Sequence, residues 1–189
     1  MKNFLLFTYI FFSLSFDCYS QNETIKPIEF IQTFETTKSK KEIYLRARLW
    51  FYKNFNSYEG FVSVDDYENG IIYCKGILPI YLSKKGENIW QNSLVGGQVR
   101  FNLRFYFAEN SFKIIFDNLI HEKSSSPVTQ TTYGLLTTAT NFEEEGKPFY
   151  KMLNKNWNLL QEGVKSQVSD LILDLNNTIE NETEMIITK

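Results

Sequence analysis

His121, the chain's one histidine, stands beside Glu122 and just ahead of Ser124, Ser125 and Ser126. Serine, imidazole and carboxylate are the parts of an acyl-transfer triad, in which the ring takes the hydroxyl proton and the acid orients the ring. Here the residue types occur without the setting that makes them work, since nothing fixes a serine at a strained turn or supplies an oxyanion hole. His121 ends an expected strand and is expected to be exposed there. Asp65 and Asp66 adjoin on another expected strand and so point to opposite faces, which rules out a cooperating carboxylate pair. Asp66, close to Gly70, reads instead as a turn-stabilising acceptor. Glu143-Glu144-Glu145 precedes a helix, where negative charge is favoured by the helix's positive end. A zinc site needs several converging ligands, and one histidine with one retained cysteine falls short. Gly96-Gly97 has neither a following helix nor a Lys-Ser/Thr, so no phosphate loop is expected. No catalytic residue, metal ligand or cofactor is therefore expected; an envelope hydrolase with an atypical acidic site is the alternative.

Recognition chemistry is better represented. Val99, Phe101, Leu103, Phe105 and Phe107 alternate with Arg100, Asn102, Arg104 and Tyr106, a period of two that gives a strand one dry and one wet face. A tight turn at Glu109-Asn110 leads into a partner strand, Phe112 to His121. It pairs Phe107 with Phe112, Phe105 with Ile114 and Leu103 with Phe116 on the dry face. The wet face then holds Tyr106 beside Lys113, Asn102 beside Asp117 and Arg100 beside Leu119. With Tyr73 and Lys75 from a neighbouring strand, the candidate binding face is Tyr73, Lys75, Arg100, Arg104, Tyr106 and Lys113. Arginine and aromatic side chains suit recognition of a peptide, a glycan or another envelope protein; the plainer reading is a solvated sheet face.

Several elements must position that face. Ile25 to Phe34 reads as a first strand, with Pro27 near its start. Ser39-Lys40-Lys41-Glu42 is a capping box that opens a helix to Phe55, with Ile43, Ala47, Trp50, Phe51 and Asn54 inside and Glu42, Arg46 and Lys53 outside. Phe61 to Tyr67 and Ile71 to Leu82 form a hairpin about Glu68-Asn69-Gly70, where Gly70 takes a left-handed position. A three-residue loop there sets Val64 opposite Cys74 and Val62 opposite Gly76, and buries Cys74 as a small hydrophobe rather than a reactive thiol. Ser83 to Gly97 is a polar loop around Trp90. Glu122 to Gly146 is too long for pure loop and is expected to hold a short element near Tyr133 to Thr138. A final amphipathic helix, Pro148 to Leu175, carries Phe149, Leu153, Trp157, Leu160, Val164, Val168, Leu171 and Leu175 as its core stripe, and residues 180–189 read as a frayed tail. The fold class is α+β: a curved antiparallel sheet with the Ser39–Phe55 and Pro148–Leu175 helices packed on one face.

Lys2, the hydrophobic run Phe4 to Phe16, and Cys18 and Ser20 at the −3 and −1 positions have the layout of a secretory signal peptide. The run is shorter than the roughly 20 apolar residues a membrane span needs. Residues 1–20 are thus expected to be removed, leaving residues 21–179 as one α+β domain that works in the periplasm or cell envelope, or is secreted. No transmembrane segment is expected in the mature chain. A lipid anchor at Cys18 is disfavoured by Phe16 and Asp17, where a lipobox wants small residues. The cut removes Lys2 and Asp17 and leaves the net charge at −2, so no general attraction to nucleic acid follows. Cys18 leaves with the signal and Cys74 has no partner within the chain, so stability rests on packing rather than on disulfides.

The order β-α-β-β-β-β-α is that of one repeat of a TATA-box-binding-protein-like fold. At Lys41-Glu42-Ile43-Tyr44 to Trp50, Asp65 to Gly70, Ile72-Tyr73-Cys74-Lys75-Gly76 and the Phe/Arg-rich hairpin, over about Ile25 to His121, the chain resembles a family of exported Bacteroidetes proteins. That family is classed as a domain of unknown function with this fold. The resemblance implies a fold and an envelope location, with no site residue, cofactor or substrate to carry over. The fold's name suggests nucleic acid, but the acidic balance and export argue against it.

Overall fold

The computed structural model describes residues 24–55, 61–80, 97–123 and 131–181. The expected signal segment, the loop around Trp90, Ser124 to Ser126 and the end of the tail lie outside them. Six strands, β1 (Phe30–Glu35), β2 (Val62–Asp66), β3 (Ile71–Ile80), β4 (Gly97–Ala108), β5 (Ser111–Lys123) and β6 (Gly134–Leu135), form one antiparallel sheet in the order β1-β5-β4-β3-β2. β6, the short element expected between Tyr133 and Thr138, pairs with β5 beyond the end of β1. Both helices, α1 (Lys40–Phe55) and α2 (Tyr150–Asn181), pack on one face.

Each element follows from its sequence. The α1 capping box forms: Ser39 N–H donates to Glu42 Oε2 at 3.0 Å, and the Glu42 amide donates to Ser39 Oγ at 3.4 Å. The Ser39 N–H, and the Ser39 hydroxyl that donates to the same Oε2 at 2.8 Å, hold the Glu42 carboxyl below its ordinary pKa. Ile43, Ala47, Trp50 and Phe51 are buried against the sheet, whereas Asn54, expected inside, is exposed. Its amide instead donates to Asp174 Oδ2 at 3.1 Å, beside the Trp50 indole N–H, which reaches the same oxygen at 2.8 Å. These two bonds lock α1 to α2.

α2 starts later and runs further than its apolar stripe suggests. Phe149 precedes it at φ 62° with 75% of its surface exposed, so it is not in the core. At the other end Thr178 and Ile179 are buried, which carries the helix past Leu175. The strand Ile25–Phe34 is likewise narrowed to β1, with Pro27 making an isolated bridge to Thr137.

Two one-residue shifts alter the expected registers. The β2–β3 turn uses four residues, Tyr67 to Gly70, and pairs Asp66 with Ile71 and Val64 with Tyr73. Val64 therefore faces away from the helices, 45% exposed, while an irregularity before it returns Val62 to a position opposite Cys74. Asp66 is the turn acceptor, taking the Asn69 amide at 3.0 Å and its side-chain nitrogen at 2.7 Å. Cys74 is fully buried, and that burial, with the Asp65 charge behind it, pushes its thiol pKa up to about 12.

The second shift is in β5. Asn102 pairs with Asp117 as expected, but Arg100 pairs with Ile120 rather than Leu119, leaving Asn118 and Leu119 together opposite Phe101. This is a bulge, with Asn118 at φ 51°, a conformation that asparagine tolerates better than most residues. It exchanges the faces of the following residues. Leu119 and His121 turn inward, and Ile120 and Glu122 turn outward.

Gly70 has φ 67°, and a Cβ there would lie 2.2 Å from the Phe107 carbonyl oxygen, while its own carbonyl accepts the Phe107 N–H at 2.8 Å. Gly70→Ala combines left-handed strain of about 1–2 kcal/mol with damage to that bond. It is expected to destabilise the protein by roughly 2–3 kcal/mol in urea unfolding.

Candidate functional site

The six residues of the expected face converge on the side of the sheet opposite the helices. Cross-strand partners set them in rows. Ile71, Tyr106, Lys113 and Thr33 form one; Tyr73, Arg104, Ile115 and Ile31 the next; Lys75, Asn102 and Asp117 a third; Ile77, Arg100, Ile120 and Leu135 the last. Both arginines are engaged by carboxylates from β5. Arg104 bridges to Asp117, and Arg100 Nη2 lies 2.6 Å from Glu122 Oε1. Asp117 also accepts the Asn102 amide at 3.1 Å, and Asn102 in turn accepts the Tyr73 hydroxyl at 3.1 Å. Burial works to lower the Arg104 pKa, but the Asp117 hydrogen bond and charge, with help from Tyr106, raise it.

Exposed ion pairs contribute only about 0–1 kcal/mol each, so these contacts matter for position more than for stability. They hold a Tyr73-Asn102-Asp117-Arg104 chain in one arrangement. Asn102, Asp117 and Glu122 are the members that composition alone did not single out as part of the site. Ile31 and Ile77, 49% and 51% exposed, flank it on neighbouring strands.

His121 is fully buried, contrary to its expected exposure, because the Asn118 bulge turns it inward. Its Nδ1 accepts the Tyr133 N–H at 3.2 Å and its ring meets Tyr133 edge-on at 5.4 Å. An imidazole whose Nδ1 already accepts a backbone proton is a structural strut for the chain leading into β6. Asp65, on the helix side of β2, lies 3.6 Å from Arg48 Nε. Among the described residues no group of three or more His, Cys, Asp or Glu is placed to hold a metal ion.

Residues 34–122 match the family described as a domain of unknown function (DUF4468) with TBP-like fold. That segment, 89 of the chain's 189 residues, is similar to the DUF4468 family. It runs from β1 to Glu122 at the far end of β5, so it contains the whole polar network of the open face. A TBP-like protein from Parabacteroides distasonis superposes with a TM-score of 0.54 at 15% identity, over 80% of this chain and 94% of that one. A DUF4468 protein from Bacteroides ovatus gives 0.56 at 12% identity, over 84% and 89%. At these identities the likeness is one of fold, and it extends beyond the DUF4468 segment. No curated protein matches the chain.

Proposed function

We propose that this protein is an exported, noncatalytic binding module of the cell envelope, and that the open face of its sheet meets a peptide, glycan or protein partner. The observation that carries the proposal is the hydrogen-bonded chain Tyr73-Asn102-Asp117-Arg104 at the middle of a face that no helix covers among the described residues. Donors and acceptors held in place before binding lose little freedom when a partner arrives. Export rests on the signal layout of residues 1–20, and removal of that segment places the face outside the cytoplasm.

Crosslinking in the native envelope, comparing wild type with an Arg100→Ala/Arg104→Ala double variant, tests the face. The variant is expected to fold and to lose a crosslinked partner. Retention of every partner by a folded variant refutes the assignment. Mass measurement of the mature protein is expected to give a start at Gln21; an intact Met1 refutes export. Turnover of a glycan or peptide that an Asp or Glu substitution abolishes would establish the hydrolase instead.

A further inference from the structure

The two edges of the sheet are built differently. β2 has five residues, a register irregularity between Val62 and Val64, and Asp65-Asp66 at its end, all features that discourage another strand from adding. β1 is regular against β5 and carries no charge before Glu35. The Ile28 N–H donates to Leu136 O and the Thr36 N–H to Asn110 O, both at 2.9 Å and both toward the β5 side. Antiparallel backbone alternates the side it presents. Phe30, Gln32 and Phe34 therefore direct their main-chain groups to β5, and Ile31, Thr33 and Glu35 direct theirs outward. Among the described residues no strand pairs with this edge.

A groove of about 440 Å³ runs between that edge and α2, with Glu29, Phe30, Phe34, Ser169, Ile172 and Leu173 in its walls. Leu173 is 57% exposed. Among the described residues Glu29 is the one charged member of the lining.

We propose that the β1 edge and this groove bind an extended peptide segment of another protein. The segment adds as an antiparallel strand, sets alternate apolar side chains against Phe30, Phe34 and Leu173, and places a basic residue near its C-terminal end beside Glu29. Outward main-chain groups above an apolar groove call for a strand with every second side chain apolar. An antiparallel strand brings its C-terminal part to the start of β1, where Glu29 lies. A second copy fits poorly. Pairing about Gln32, the register that matches Phe30 with Phe34, would set Glu29 against Glu35 at both ends, and like charges opposite each other are unfavourable. This edge is separate from the open face, and the inference does not rest on that reading.

The test uses a fluorescein-labelled peptide, Gly-Thr-Val-Thr-Val-Thr-Val-Lys amide, with the full chain after signal removal. Binding is read by anisotropy against the same peptide ending in Glu and against a form N-methylated at alternate residues. The Lys peptide is expected to bind, and the N-methylated form, which has lost its donors, is not. Thr33→Pro removes an outward N–H at a position where an edge strand tolerates proline, and Leu173→Asp puts charge in the groove. Each is expected to weaken binding by about tenfold or more. Glu29→Lys is expected to reverse the preference to the Glu peptide. Failure of the Lys peptide to bind, or equal binding of the N-methylated form, overturns the proposal without reference to any variant. A wild-type dimer in sedimentation that Thr33→Pro dissolves assigns the edge to a second copy, and binding that appears only after removal of residues 182–189 assigns it to the chain's own tail; either result also overturns it.

Discussion

Phe105→Ala is expected to lower the free energy of unfolding by about 3–5 kcal/mol, the range for deleting a buried phenylalanine. Phe105 lies in β4, with β3 and β5 on either side, and pairs with Ile72 and Ile114. It is fully buried, meets Phe51 of α1 edge-on at 6.3 Å and lies 5.7 Å from both Phe107 and Phe112. Removal of the ring thus opens a cavity where strands and helix meet, and rigid cross-strand neighbours limit how far it can close. Urea unfolding should show a lower midpoint with an unchanged slope. A loss below about 1 kcal/mol would mean that the ring does not sit in the core.

Trp157→Ala is expected to cost a similar amount, about 3–5 kcal/mol, but with a different distribution. Trp157 is buried in the first half of α2, its indole N–H donates to Ala139 O at 2.7 Å, and its ring lies 6.0 Å from Tyr133 and 5.6 Å from Phe142. Gln161 and Asn154 hold the same stretch, through Thr137 O at 2.6 Å and through the Phe142 and Glu143 amides at 2.9 and 2.8 Å. The tryptophan fastens residues 133–143 to the helix as well as filling space. Hydrogen exchange should therefore rise most at Leu136 and Thr138, whose amides bond to Leu119 and Lys26, and least in β3 and β4. Uniform loss of protection across the sheet would contradict this local role.

The alternation in β4 made its dry face legible, because five apolar residues at period two leave little choice of phase. The capping box, the inner face of α1 and the turn role of Asp66 depend on short-range chemistry and were legible for that reason. Registers across turns were less so. One more residue in the β2–β3 turn moved Val64 to the open face, since a slip of one residue changes which face a strand buries. The Asn118 bulge did the same at the end of β5. Leu119, an apolar residue falling on the wet phase just after Asp117-Asn118, was the available sign of an extra residue. The candidate face was legible as a set of six side chains, but not as a network. Glu122 reaches Arg100 because the bulge turned it outward, a fact carried by pairing geometry rather than by composition. The last turns of α2 were harder to read: Ile179 continues the stripe four residues after Leu175, but the polar Asn176-Asn177-Thr178 run between them reads as a helix end.

The bridge between Pro27 and Thr137 joins two distant stretches of chain that both depend on the outer edge of β5. Hairpins β2–β3 and β4–β5 can close early, because their partners are near in sequence, and β6 lies only 13–15 residues from its partners in β5, whereas β1 must wait for a loop of about 76–86 residues to close. Once in place they share bonds: Lys26 and Ile28 bond to Thr138 and Leu136, and Leu136 to Leu119. Neither stretch can leave β5 without breaking the other's contacts, so the two form one unit, completed only when β1 arrives, with a common opening equilibrium.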